Sequence, residues 1–171
     1  MLATAQKNDI SPAELSQRVA VIKRFKELLQ AQRDRFNEYL GALDKQKELI
    51  QAGSAEDLIQ HVELEEKIVA DIFSIQKVID PLEEMYQSTR AESPATTAND
   101  EVSRAGDEVS SLKEVLDSLK SEAVIRAEQN RELLAKRMEE LRSEIKSLKG
   151  GAYARRPFNN DPTPTLVDIK G

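Results

Sequence analysis

The chain has 171 residues, of which 39% are hydrophobic, 33% charged and 4% aromatic, and it contains one His, no Trp and no Cys. The lack of Cys excludes a disulfide framework, a thiolate metal site and a cysteine nucleophile. The scarcity of rings excludes a thick globular core and suits long packed helices.

Net charge is −6, which is no basic nucleic-acid footprint, and no nucleic-acid partner is expected. The charge is uneven. Residues 54–101 hold twelve Asp/Glu against three Lys/Arg, whereas residues 102–149 hold ten of each. The acidic third reads as a solvated helix face or as an electrostatic guide for a basic partner. The opening MLATAQKND has no basic region followed by an apolar one, so no signal peptide is expected. No apolar run approaches the ~20 residues of a membrane span. A soluble, cytoplasmic protein is the expectation.

Residues 1–10 are expected to be disordered. Ser11 is a good N-cap, Pro12 suits the first helical position, and Glu14 falls at N3. Leu15, Ile22, Leu29, Phe36, Leu43 and Ile50 then recur every seven residues. Val19, Phe25, Gln32, Leu40 and Gln46 fill the intervening seam positions, the pattern of a coiled coil. A helix over about 12–52 would be ~60 Å long. It cannot bury such a stripe alone. A second stripe of Val21, Leu28, Ala42 and Leu49, interrupted by Arg35, widens the apolar face enough for two neighbours.

Gly53 and Ser54 make a two-residue corner. Gly53 is expected in the left-handed conformation that follows many helix ends. Ser54 is the next N-cap, with Asp57 as an acidic variant of the capping box. So short a loop predicts two antiparallel helices side by side. The second helix, about 54–90, carries the seam Leu58, Val62, Glu65, Val69, Ile72, Ile75 or Gln76, Ile79 and Leu82. A carboxylate at the Glu65 seam position marks register or a wet patch. Asp80-Pro81 predicts a kink or brief break. Residues 91–100 form a polar linker with one proline, and Asn99 or Asp100 can cap the next helix.

The third helix is expected over about 100–149. Its stripe is Val102, Ala105, Val109, Leu112, Leu116, Leu119, Ala123, Ala127, Asn130, Leu134, Met138, Leu141, Ile145 and Leu148. The four-residue steps at Ala123–Ala127 and Leu134–Met138 are stutters that unwind a left-handed supercoil. At ~75 Å the helix outruns either arm of the hairpin, so its ends cannot be equally covered. Gly150-Gly151 is expected to stop it. The proline-bearing tail, 150–171, should be extended and flexible, and it ends in the apolar cluster Leu166, Val167 and Ile169. The fold class is therefore all-α: an elongated antiparallel three-helix coiled-coil bundle over 11–149, with a disordered N-terminus and an extended tail.

Chemistry is sparse. His61 has no Glu-x-x-His companion, so a bundle di-metal site is excluded. Zinc lacks a ligand set. Gly150-Gly151 follows a helix and lacks the Lys-Ser/Thr of a phosphate loop. His61 reads as a surface residue. Neither an enzyme nor a cofactor is expected, and what remains is a helical interaction module that seats a partner's amphipathic helix.

Three stretches carry a family resemblance. KQKELIQAGSAEDLIQHVELEEK has a long helix, a Gly-containing corner and an early Glu66-Lys67 pair. EQNRELLAKRMEELRSEIKSLK has Asn130 followed by the pair Leu133-Leu134. GGAYARRP…LVDIKG has a Gly- and Tyr-bearing stretch and then a short apolar end. In this order they resemble the FlgN family of flagellar export chaperones. The resemblance implies a cytoplasmic chaperone for hook–filament junction proteins, which needs no ATP or metal. It would hold the client's C-terminal helix, prevent premature assembly and deliver the client to the export gate. It also implies client contacts at Leu134, Met138, Leu141, Ile145 and Leu148, and a gate contact at Tyr153. Here Tyr153 is followed by Ala-Arg-Arg rather than directly by Gly, a departure from the family pattern. Two other readings remain: a chaperone for another flagellar or type III secretion client, and a structural coiled-coil scaffold. A homodimer would use the same stripes.

Overall fold

The structure is a computed structural model. It describes residues 11–91 and 100–154, the side chains of 91, 100–101 and 152–154 excepted. The expectations for the N-terminus, the linker around Pro94 and the chain beyond 154 fall outside these residues.

Three helices account for the described residues: α1 (Pro12–Ala52), α2 (Ala55–Ala91) and α3 (Asp100–Ala154). There is no strand among the described residues. The start of α1 stems from its capping chemistry. Ser11 has extended backbone angles, and its side chain accepts a hydrogen bond from the Glu14 amide at 3.2 Å. Ser54 and Asp57 cap α2 reciprocally. The Asp57 amide donates to Ser54 Oγ at 3.1 Å, and the Ser54 hydroxyl donates to the Asp57 carboxylate at 2.6 Å. This satisfies amides that a helix start otherwise leaves without acceptors.

The corner glycine is needed for a different reason from the expected one. Gly53 has φ −87° and ψ 172°, an extended conformation open to any residue. Its amide donates to the Leu49 carbonyl at 2.8 Å. A Cβ at this position would lie 2.8 Å from that carbonyl oxygen and 2.9 Å from Leu49 Cα. Close approach to the last turn of α1, and not a positive φ, is what requires glycine.

Two further expectations change. First, of the kink or brief break expected at Pro81, the break does not occur, because α2 runs through it. Pro81 lacks the amide that would donate to the Lys77 carbonyl. Both residues are exposed, so that turn borders solvent. Asp80 caps no new start, and instead its carboxylate accepts from Gln76 Nε2 at 2.6 Å. Second, α3 continues through Gly150-Gly151 to Ala154. Glycine weakens a helix by roughly 1 kcal/mol relative to Ala but does not forbid it.

The chain forms two compact units, Met1–Leu133 and Leu134–Gly171. The division falls inside α3. It comes just after Asn130, the last buried residue of α3 among those described.

In the first unit the helices pack as a bundle. Contacts between α1 and α2 run in opposite order along the two helices: Phe25 with Tyr86, Gln32 with Gln76, Arg35 with Asp71, Gln46 with Glu65. Those between α1 and α3 run in the same order: Lys26 with Glu108, Asp44 with Arg126, Gln46 with Asn130. The main core joins all three helices, with Ile22, Phe25, Leu28 and Leu29 of α1, Ile79 and Tyr86 of α2, and Val109 and Leu116 of α3. Phe25 is fully buried, its ring centroid 5.2 Å from that of Tyr86 and 5.6 Å from Lys113 Nζ. Burying one such aromatic side chain contributes about 2–3 kcal/mol.

Beyond Gln32 the core divides. Leu40 and Leu43 pack with Ala123 of α3. Ala42 packs with Ile68 and Ile72 of α2. Phe36 and Tyr39 flank both clusters. The wide apolar face of α1 thus serves two neighbours, as its second stripe predicts.

Candidate functional site

Two surfaces are candidates, and each is built by helical periodicity. The first is the α3 stripe named from the sequence. Leu134, Met138, Leu141, Ile145 and Leu148 recur at three- and four-residue steps, which places them along one face of a helix. All five are exposed, from 36% for Leu134 to 73% for Leu148. Every described residue from 134 to 151 is likewise exposed. An apolar stripe left in water is unfavourable by roughly 25 cal/mol per Å² relative to its burial, so it favours an occupant. Tyr153 falls in the last turn of α3, but its side chain is outside those described.

The second surface lies on α2, and the sequence reading missed it. A groove of about 370 Å³ is lined by Tyr39, Val62, Glu65, Glu66, Val69, Ala70 and Phe73. Phe73 is 64% exposed, and Ile59, about four turns away, is exposed too. The signal was available as Ile59, Val62, Val69 and Phe73, which form a face beside the buried one. Val62 and Val69 belong to the seam pattern as well, so the seam masks this face in the sequence.

A polar layer crosses the unit beside this groove. Asn130, buried on α3, donates from Nδ2 to the Leu43 carbonyl at 2.7 Å and to Gln46 Oε1 at 2.8 Å. Gln46 Nε2 donates to Glu65 Oε2 at 2.8 Å. His61 Nε2 donates to the Ala42 carbonyl at 2.7 Å and lies 3.3 Å from Glu65 Oε1. The surface reading of His61 is therefore corrected. It is half-buried against α1 because Ala42 is small enough to leave its carbonyl within reach. With its Nε2 proton directed at that carbonyl, Glu65 Oε1 has no hydrogen-bond partner. Glu65 is only 8% exposed. Burial pushes its carboxyl above the ordinary range, and His61 partly opposes the shift. The Tyr39 hydroxyl is also pushed up, first by burial and then by the nearby Glu65 charge.

A second polar pair lies one level down. Gln32, 2% exposed, donates to Gln76 Oε1 at 2.6 Å. Such buried amides at seam positions select one register by penalising slips that would leave them unpaired.

No group of three or more His, Cys, Asp or Glu suited to a metal ion occurs among the described residues. No described helix is long and apolar enough to cross a membrane. The chain is similar to an uncharacterized protein of Treponema pallidum (strain Nichols), 28% identical over 162 residues that cover 94% of this chain and 96% of that protein. No family model matches the chain, and no solved structure matches it.

Proposed function

We propose that this protein is a cytoplasmic, non-enzymatic export chaperone of the FlgN type. It binds the C-terminal helices of hook–filament junction proteins, prevents their premature assembly and delivers them to the flagellar export gate. The observation that carries the reading is the run Leu134, Met138, Leu141, Ile145 and Leu148, five apolar side chains on one helical face, all exposed. A client helix laid along that stripe would bury it, and the thioether of Met138 adapts to a partner's side chains. Tyr153 is assigned to the gate. The bundle is proposed to be an antiparallel coiled coil whose polar layers hold α3 in register. The three sequence stretches that resemble the family support the same reading.

Calorimetric titration of the full chain with C-terminal fragments of junction proteins tests it. A stoichiometric complex is expected. Selective binding of filament-cap or other type III secretion C-termini would assign a different client to the same mechanism. The exposed stripe would equally serve a structural scaffold or homodimer. Light scattering separates these readings, because a scaffold assembles alone and a chaperone forms its complex only with client.

A further inference from the structure

The groove on α2 carries a second binding function, which does not rest on the α3 stripe. We infer that it docks an amphipathic helix of another protein that bears a Lys or Arg within its apolar face, with that cation reaching Glu65. Three observations lead there. The groove is open, and its walls are apolar at Val62, Val69 and Phe73, with Phe73 largely in water. Glu65 lines it, is more than nine-tenths buried, and has one carboxylate oxygen without a donor. The groove's lining holds two carboxylates, Glu65 and Glu66, and no cation.

Glu65 accepts one neutral hydrogen bond, from Gln46 to Oε2, while Oε1 has only His61 Nε2 nearby at 3.3 Å. The buried carboxylate is thus incompletely compensated, and a charge-assisted hydrogen bond offsets that cost more than a neutral one. The neighbouring charge agrees. Along Ala55–Ala91 there are nine Asp/Glu and three Lys/Arg, so α2 attracts a basic segment. Ile59 and Phe73 stand ~21 Å apart along the axis at 1.5 Å per residue, a span that suits a docked helix of about four turns. The division of the core beyond Gln32 explains why room remains. There α1 packs on α2 through one cluster and on α3 through another, and the face of α2 bearing Val62 and Val69 is only partly covered.

The test uses the full chain and two fluorescent helical peptides. One carries an apolar Leu stripe with a single central Arg, and the other has norleucine in place of that Arg. Fluorescence anisotropy should show the Arg peptide binding about tenfold tighter. Glu65→Gln should erase that preference. Phe73→Glu, at an exposed site, should weaken both peptides at least about tenfold with far-UV helicity retained, and Ala70→Glu, also exposed, should act likewise. The preference for the Arg peptide should persist in the Leu141→Glu/Ile145→Glu background, which removes any binding of the Leu-rich peptides to the exposed α3 stripe and so isolates the groove. Equal binding of the two peptides, or unchanged binding by both groove variants, overturns the inference. A dimer of the wild-type chain that dissociates on Phe73→Glu also overturns it, because a second copy would then be the occupant.

Discussion

The polar layer that ties α3 to the hairpin yields a quantitative prediction through a double-mutant cycle on Asn130 and Gln46. Asn130→Ala removes two hydrogen bonds, to the Leu43 carbonyl and to Gln46 Oε1. At about 1 kcal/mol net for each, plus the cost of leaving the Gln46 acceptor unpaired, the loss should be about 3 kcal/mol. Gln46→Ala removes the same Asn130 bond and also the donor to Glu65 Oε2. That leaves neither oxygen of a buried carboxylate with a donor, and this loss too should be about 3 kcal/mol. The Asn130–Gln46 bond is counted in both variants. The double variant should therefore cost about 4–5 kcal/mol, a coupling of about 1–2 kcal/mol. Urea unfolding followed by far-UV circular dichroism measures all four corners of the cycle. Strictly additive losses would show that the layer is not a connected network and would refute the reasoning.

Gly53→Ala should destabilise the protein by about 1–3 kcal/mol, because the new Cβ meets Leu49 backbone rather than a movable side-chain tip. Urea midpoints check this, and an unchanged midpoint would mean that the corner relaxes freely. Stability should also depend on Glu65 protonation. Its folded-state carboxyl titrates above the ordinary value, mainly through burial, so the folded state holds that proton more tightly than the unfolded one. This contribution is fully present below the ordinary carboxylate range and is lost as pH rises through the folded value. Glu65→Gln should remove that loss, and a wild-type and variant pair with parallel stability–pH curves would contradict the assignment.

Much of the fold was legible because its signals are local. Ser11-Pro12-Glu14 marked the start of α1, and Ser54 with Asp57 marked the start of α2, because capping chemistry needs only neighbours in sequence. The α3 stripe was legible down to Asn130 for the same reason. Gly150-Gly151 misled because glycine raises the cost of a helix by an amount that surrounding turns can absorb. At Pro81 the helix absorbs the proline without the brief break that was one of the two expected outcomes. Gly53 was placed correctly for an incorrect cause, since its constraint is contact with Leu49, which only three dimensions show. His61 and the α2 groove were missed on similar grounds. Whether a seam residue is covered depends on where α3 lies, and no periodicity within α2 contains that information. The apolar pattern Leu134, Met138, Leu141, Ile145 and Leu148 was legible in the sequence, whereas a client role for it came only from the family resemblance; the structure adds that all five side chains are exposed.

The most direct measurement of the proposed chaperone activity compares wild type with Leu141→Glu/Ile145→Glu by calorimetric titration with the C-terminal fragment of a hook–filament junction protein. Both positions are exposed, so the variant should keep its far-UV helicity. The account predicts a stoichiometric complex for wild type and no measurable binding for the variant. Binding of the fragment to the variant with unchanged affinity would contradict it.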